Sequence, residues 1–295
     1  MALNIAVFKI RALSAIVFAI IMLAGILFSF QTFFILFSII HFGCWIEFQK
    51  LISKIYPEYA DISVFHKYGI IIAGWCLMLN FAPDAFTLFG MPLHEFGWWI
   101  GLTLCFLIPL TDLLFNGNIN GKNMLLSIGG LLYISLSLAL LTDIYAFEFY
   151  SNNSNSNFVY PDYLFPLLII CCIWINDTMA YISGSLFGKT PLSPISPKKT
   201  REGTFGGILL AVIVSTIVLY LIFPGVSLIM WVFLFLIIAI AGTFGDLLES
   251  KLKRMAGVKD SGMLMPGHGG FLDRFDSLLL AVPMVWIYLK IILLT

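Results

Sequence analysis

Long apolar runs separated by short polar breaks dominate this chain, and their lengths are those of membrane-crossing helices. A helix needs about 20 mostly apolar residues to cross a bilayer. Tyr68–Ala82 is a short run of this kind; Phe96–Phe115, Met124–Thr142, Leu164–Gly184, Phe205–Phe223, Ser227–Asp246 and Asp276–Leu294 are fuller ones. Ahead of them, Ala12–Ile46 is too long for one crossing and reads as two short spans hinged near Ser29–Thr32. Trp45–Lys54 continues it as a helix leaving the membrane along its surface, and Pro224-Gly225 turns the chain between the seventh and eighth spans. The pattern predicts an all-α polytopic membrane protein of about nine transmembrane helices.

Composition agrees. Of 295 residues 60% are hydrophobic and 11% charged, where a soluble domain carries about 25% charged residues. Mean hydropathy is +1.00. A water-soluble domain and a disordered chain are excluded, and a formal net charge of zero gives no basic surface for nucleic acid. Cys44, Cys76, Cys105, Cys171 and Cys172 lie in apolar runs without metal-ligand spacing and read as small buried hydrophobes.

Charge then orients the spans. Cytoplasmic loops carry the excess of Lys and Arg. With nine spans and a cytoplasmic N-terminus, one side receives every one of the sixteen basic residues except Lys290. The C-terminus is then expected on the opposite side, where the polar stretch Ser151–Asn157 also falls. Lys9 and Arg11 precede the first run as in a secretory signal. That run is too long and lacks a small-residue cleavage site, so an uncleaved anchor is expected.

Polar chemistry concentrates in the second half. Residues 1–160 read as scaffold helices and 161–295 as the catalytic part of one integral membrane unit, with two long cytoplasmic loops, Ser185–Thr204 and Leu247–Phe275. Asp177 lies inside a span, where an ionisable group is costly and by default functional. Gly184–Gly188 followed by Pro191, Pro194 and Pro197 argues against helix across the exit loop. Next, Ser196, Lys198, Lys199, Thr200 and Arg201 lead into Gly203, Gly206 and Gly207, a set of cations, hydroxyls and permissive backbone suited to a polyphosphate at a helix start. The densest cluster runs from Gly245 to Asp276. Asp246 ends one span, Asp273 and Asp276 open the next on one helix face, and Lys251, Lys253, Arg254, Lys259 and Arg274 stand beside them. Carboxylates with water and substrate phosphates are what Mg²⁺ requires. His268, between Gly267 and Gly269, either binds a phosphate or fixes the loop.

From Ser250 to Asp276 the chain resembles the bacterial phosphatidate cytidylyltransferases, the CDP-diacylglycerol synthases. Their signature, S-x-[LIVMF]-K-R-x4-K-D-x-[GSA]-x2-[LIF]-[PG]-x-H-G-G-[LIVMF]-x-D-R-[LIVMFT]-D, keeps every spacing here and departs only at Met265, an apolar exchange. Asp177–Gly188 and Ser196–Gly207 also resemble upstream motifs of the family, with Arg201 where Trp is common. The resemblance implies transfer of CMP from CTP to phosphatidic acid, giving CDP-diacylglycerol and pyrophosphate in phospholipid biosynthesis. It further implies a homodimer in the bacterial inner membrane with the site facing the cytoplasm, and Mg²⁺ held by Asp246 and Asp273 with K⁺ as a second ion. Lys259 and Asp276 join those two aspartates as expected catalytic residues. Ser196, Lys198, Lys199, Thr200, Asp177 and His268 are the expected CTP and phosphate contacts, and Arg254 and Arg274, whose planar forks suit phosphate, are expected on the lipid. A CTP-dependent polyprenol kinase and a non-enzymatic membrane transporter are the alternatives. The long signature speaks against the first, and carboxylates lining one interface rather than the midplane against the second.

Overall fold

A computed structural model describes residues 5–116, 121–147, 150–151, 158–223, 225–263 and 269–294, with side chains from residue 13 onward except at 88, 115–116, 150–151, 158–159 and 293–294. Helices occupy all nine predicted stretches: α1 (Ile5–Leu27), α2 (Phe30–Ile55), α3 (Val64–Asn80), α4 (Leu93–Asn116), the rod α5–α6 (Gly121–Tyr145), α7 (Leu164–Phe187), α8 (Arg201–Ile222), α9 (Leu228–Met255) and α10 (Leu272–Leu294). Among the described residues, α2 and every later helix except α3 are long and apolar enough to cross a membrane. Leu13–Leu27 and Val64–Asn80 are shorter apolar helices. The protein is an integral membrane protein with an all-α spanning architecture.

Three two-stranded antiparallel hairpins join the helices: β1 (Thr87–Leu88) with β2 (Met91–Pro92), β3 (Tyr150–Ser151) with β4 (Phe158–Val159), and β5 (Pro191–Ser193) with β6 (Ser196–Thr200). The first turns through Phe89 and Gly90, both at positive φ, as a two-residue primed turn demands.

The chain divides into two compact units, Met1–Asp143 with Leu252–Phe275, and Ile144–Lys251 with Asp276–Thr295. In the first, the expected hinge is a helix cap. Ser29 Oγ accepts from the Thr32 amide while Thr32 Oγ1 accepts from the Ser29 amide, so α1 ends and α2 begins there. Trp45–Lys54 is helical, as expected. It is the unbroken end of α2, with Trp45, Phe48, Leu51 and Ile52 buried. Gly97 of α4 lies so close to α3 that a Cβ would stand 2.5 Å from the Cys76 carbonyl oxygen. Close approach of small residues is how helices associate where lipid supplies no hydrophobic drive.

Several polar groups buried in this unit pair with one another. A π-helical turn, Leu131–Ser135, joins α5 (Gly121–Gly130) to α6 (Leu136–Tyr145) and presents the Ser135 hydroxyl to His41 Nε2 at 2.9 Å and Trp45 Nε1 at 2.8 Å. His66 bonds Asp112 through Nδ1 (2.5 Å) and Ser127 through Nε2 (2.9 Å), and Ser127 also meets the Tyr59 hydroxyl. That order is the order of a Ser–His–Asp relay, but Ser127 has no exposed surface, so the network joins helices and cannot reach a substrate.

The second unit packs α7 against α8 and α9 against α10. A Cβ on Gly207 would stand 2.6 Å from that of Ala180, and one on Gly206 equally close to Ser183. Gly203, Gly206 and Gly207 therefore sit inside α8 and serve its contact with α7; they are not a phosphate cradle, as their spacing suggested. Two further expectations shift. Helix α7 continues through Gly184 to Phe187, because a glycine packed against Thr200 and Gly203 is held in place by what it touches. Helix α9 runs past Asp246 to Met255, its polar end being helical as well. All five cysteines are free; Cys105 is exposed, in a hollow it lines with Cys76 of α3, and Cys171 is half-buried, whereas the other three are buried as expected.

Candidate active site

In the second unit, Thr200 organises the approach to the site. It ends β6, caps α8 by accepting from the Gly203 amide (3.1 Å), and lies against Gly184 and Gly188 of the α7 exit. Glu202, in the first turn of α8, accepts from the Lys189 and Thr190 amides and ties the hairpin down. With β6 fixed, alternation along the strand leaves Lys198 exposed and turns Lys199 inward, where its ammonium pairs with Asp246 of α9. The other Asp246 oxygen accepts from Ser250 Oγ at 3.2 Å.

Lys198, Lys199, Thr200 and Asp246 line a cavity of about 430 Å³ together with Asp177, Thr204, Asn176 and Thr243. Asn176 stood beside Asp177 in the polar pair that the sequence singles out; Thr243 was missed, and only its position three residues before Asp246 could have indicated it. Behind this wall Gly245 brings α9 against the backbone of Asp276 in α10. The Asp276 carboxylate is buried and lies within electrostatic reach of Asp246, Glu249 and Asp177. Four carboxylates thus gather here, Lys199 being paired to Asp246.

In the first unit, Asp273 stands in the first turn of α10 and is held on both oxygens. Oδ1 accepts from Lys253 Nζ at 2.5 Å, and Oδ2 from the Ser261 and Gly270 amides at 2.8 Å and from Ser261 Oγ at 2.9 Å. Ser261 Oγ also lies 2.6 Å from Glu47 Oε2. Glu47 is the main residue that sequence reading missed. Buried in α2, it caps α10 by accepting the Phe271 amide on Oε1 and the Leu272 amide on Oε2, both at 2.9 Å. A Cβ on Gly262 or Gly270 would collide with its carboxylate, and Gly269 takes φ +83° where a Cβ would stand 2.6 Å from Asp273. The described glycines of the signature are there to admit two carboxylates.

The structure thus brings Asp177, Lys198, Lys199, Thr200 and Asp246 to one cavity. Ser196 lies on β6 outside that lining. Lys259 is exposed on the loop after α9; Arg254 and Arg274 are exposed, Arg254 donating to the Val258 carbonyl at 3.2 Å. His268 lies outside the described residues. Among those residues no group of three His, Cys, Asp or Glu side chains is arranged to hold a metal. Each of the two expected ligands, Asp246 and Asp273, offers oxygen, the donor type a hard cation such as Mg²⁺ takes. Asp246 in the second unit and Asp273 in the first each draw a lysine ammonium.

A family model described as the cytidylyltransferase family matches residues 9–292. This chain belongs to that family. Among relatives, a phosphatidate cytidylyltransferase of Staphylococcus saprophyticus is 32% identical over 285 residues, covering 95% of this chain and 98% of its own length. One of Staphylococcus aureus is 35% identical over 202 residues, 68% of this chain and 74% of its own. One of Staphylococcus epidermidis reaches 47% over 129 residues, 43% of this chain and 48% of its own.

Proposed function

We propose that this protein is a CTP:phosphatidate cytidylyltransferase, making CDP-diacylglycerol and pyrophosphate. Family membership and the names of the relatives support the reaction. The observation that carries the site is the 430 Å³ cavity, where three stretches far apart in the chain contribute Asp177, Lys198–Thr200 and Asp246. Lysines and a helix N-terminus suit a triphosphate.

The reaction asks little of a general base. The second pKa of a phosphate monoester is about 6, so at neutral pH the acceptor is already largely a dianion. One of its oxygens attacks the α-phosphorus of CTP; the bond from that phosphorus to the α–β bridging oxygen breaks, and pyrophosphate leaves with the electron pair. The difficulty is bringing two polyanions together and stabilising the leaving charge. Lys198 and Lys199 neutralise the triphosphate, with Thr200, Ser196 and His268 orienting it, and Lys259 and Asp276 complete the catalytic set. Arg254 and Arg274 take the lipid phosphate. Asp246 and Asp273 would hold Mg²⁺, which when bound neutralises phosphate charge; K⁺ is the second ion. Nine spans, a cytoplasmic N-terminus and a homodimer in the inner membrane complete the reading, and the placement of Lys and Arg supports its orientation.

The test uses purified protein in detergent–lipid micelles with α-labelled CTP, phosphatidic acid and Mg²⁺. Label entering the lipid phase only when phosphatidate and metal are both present is the expected result. Transfer of γ-label to a polyprenol instead would make the protein a kinase and overturn the reading.

A further inference from the structure

The unit formed by Met1–Asp143 and Leu252–Phe275 holds a second cavity, of about 540 Å³, to which the reaction above assigns no role. Lys50 and Lys54 from the end of α2 and Lys67 from the start of α3 line it. All three are exposed, and among the described residues none has a carboxylate within ion-pairing distance. Asp260 also lines the cavity, so the charges of the described lining sum to a positive excess. These lysines differ in that respect from Lys122, whose ammonium faces Glu58 at 4.0 Å.

The other wall belongs to the signature loop. Val258 and Ser261 line the cavity; Ser261 is the residue whose hydroxyl reaches both Glu47 and Asp273, and the Val258 carbonyl is held by Arg254. Apolar surface continues from the cavity. Ile46 lines it, and Ile35, Ile39 and Phe42 extend the same exposed face of α2 at helical spacing. A basic hollow that ends an exposed apolar stripe matches one kind of ligand, an anionic headgroup carried on acyl chains. A free phosphate has no use for the stripe.

We propose that this cavity docks the acceptor lipid, Lys50, Lys54 and Lys67 receiving its phosphomonoester while an acyl chain lies along Ile35, Ile39, Phe42 and Ile46. The proposal rests on the cytidylyltransferase reading and adds a capture site on α2 and α3 to the arginines of the signature. Compact ammonium groups, each a freely rotating donor of three hydrogen bonds, suit a headgroup that arrives and then moves on better than a rigid fork does.

The experiment is steady-state kinetics of the full chain in mixed micelles, varying the surface fraction of phosphatidic acid and the CTP concentration separately. Lys50→Gln, Lys54→Gln and Lys67→Gln should each raise KM for phosphatidic acid roughly fivefold, the effect of one basic side chain near an anionic headgroup. KM for CTP and kcat should stay within about twofold, the pattern of lost ground-state binding. Lys122→Gln should match wild type, and the triple Lys→Arg variant should restore most of what the triple Lys→Gln variant loses, which separates charge from folding. A triple Lys→Gln variant with wild-type KM for phosphatidic acid, or with an equal rise in KM for CTP, overturns the proposal. So does glycerol 3-phosphate competing as well as the lipid. Native mass spectrometry with added phosphatidic acid reads the cavity without turnover: adducts on wild type and not on the triple variant are expected, and equal adducts refute it. Were wild type to transfer no CMP, the reaction would fall while the adduct comparison still decided the cavity.

Discussion

Replacing Glu47 by Gln is the most discriminating single change, because it keeps shape and alters only what the two oxygens can accept. Oε1 accepts the Phe271 amide and Oε2 the Leu272 amide, each at 2.9 Å. Whichever way a glutamine amide is turned, its NH₂ faces one of those N–H groups. One hydrogen bond to a charged acceptor, about 1.5–3 kcal/mol, is lost, and a backbone donor at a buried helix start is left without an acceptor. Taking about 3 kcal/mol for the two together, opening of the loop becomes roughly a hundredfold more frequent. Hydrogen exchange in micelles, followed by mass spectrometry over the peptide that begins α10, should show that loss of protection. The turnover number should fall in parallel, since Ser261 and Gly270 position Asp273. Exchange and kcat both within about twofold of wild type would refute the idea that Glu47 holds the loop.

Other expected outcomes are as direct. Asp246→Asn or Asp273→Asn should abolish CMP transfer while size-exclusion profile and helical content stay those of wild type, and chelation of divalent cations should do the same reversibly; full activity in either variant removes the metal assignment. Gly270→Ala should inactivate the enzyme, because the added methyl collides with the Glu47 carboxylate, and Gly270→Ala combined with Glu47→Ala should regain part of the loop's protection. Gly207→Ala drives a Cβ against the backbone of Ala180 and should destabilise by about 1–3 kcal/mol, read as a lower thermal midpoint in detergent with KM values unmoved.

Helices were legible because lipid writes its demand into composition over twenty residues at a time. The hinge at Ser29 was legible too, since a serine three residues before a hydroxyl partner is a local signal. Helix ends were less so. The pattern stopped α9 at Asp246 where apolarity stops, yet a helix leaving the bilayer needs only its own hydrogen bonds to continue to Met255. Aspartates and lysines of the second half could be picked out as unusual residues in an apolar chain, and four of them meet in one cavity. Glycines misled, because Gly203 and Gly207 look alike whether they face a phosphate or a neighbouring helix. Glu47 could not be found: its partner Ser261 is 214 residues away, and a lone carboxylate near the end of an apolar run looks like any interfacial charge. The same holds for His66 and Asp112, ordinary alone and informative only as a pair.

One helix turn before Glu47, Gly43 leaves the slot into which the Phe271 ring fits, with ring carbons where a Cβ would be. Gly43 and Glu47 thus present a single mould on α2, one position for the ring and one for the amides beside it. The consequence reaches into how such chains are sorted by sequence. A chain could carry the whole C-terminal signature letter for letter and still be silent if a bulky residue replaced this glycine or an amide replaced this glutamate. Screening for degenerate or repurposed copies should therefore score the second helix along with the signature, treating the two segments as one inherited character.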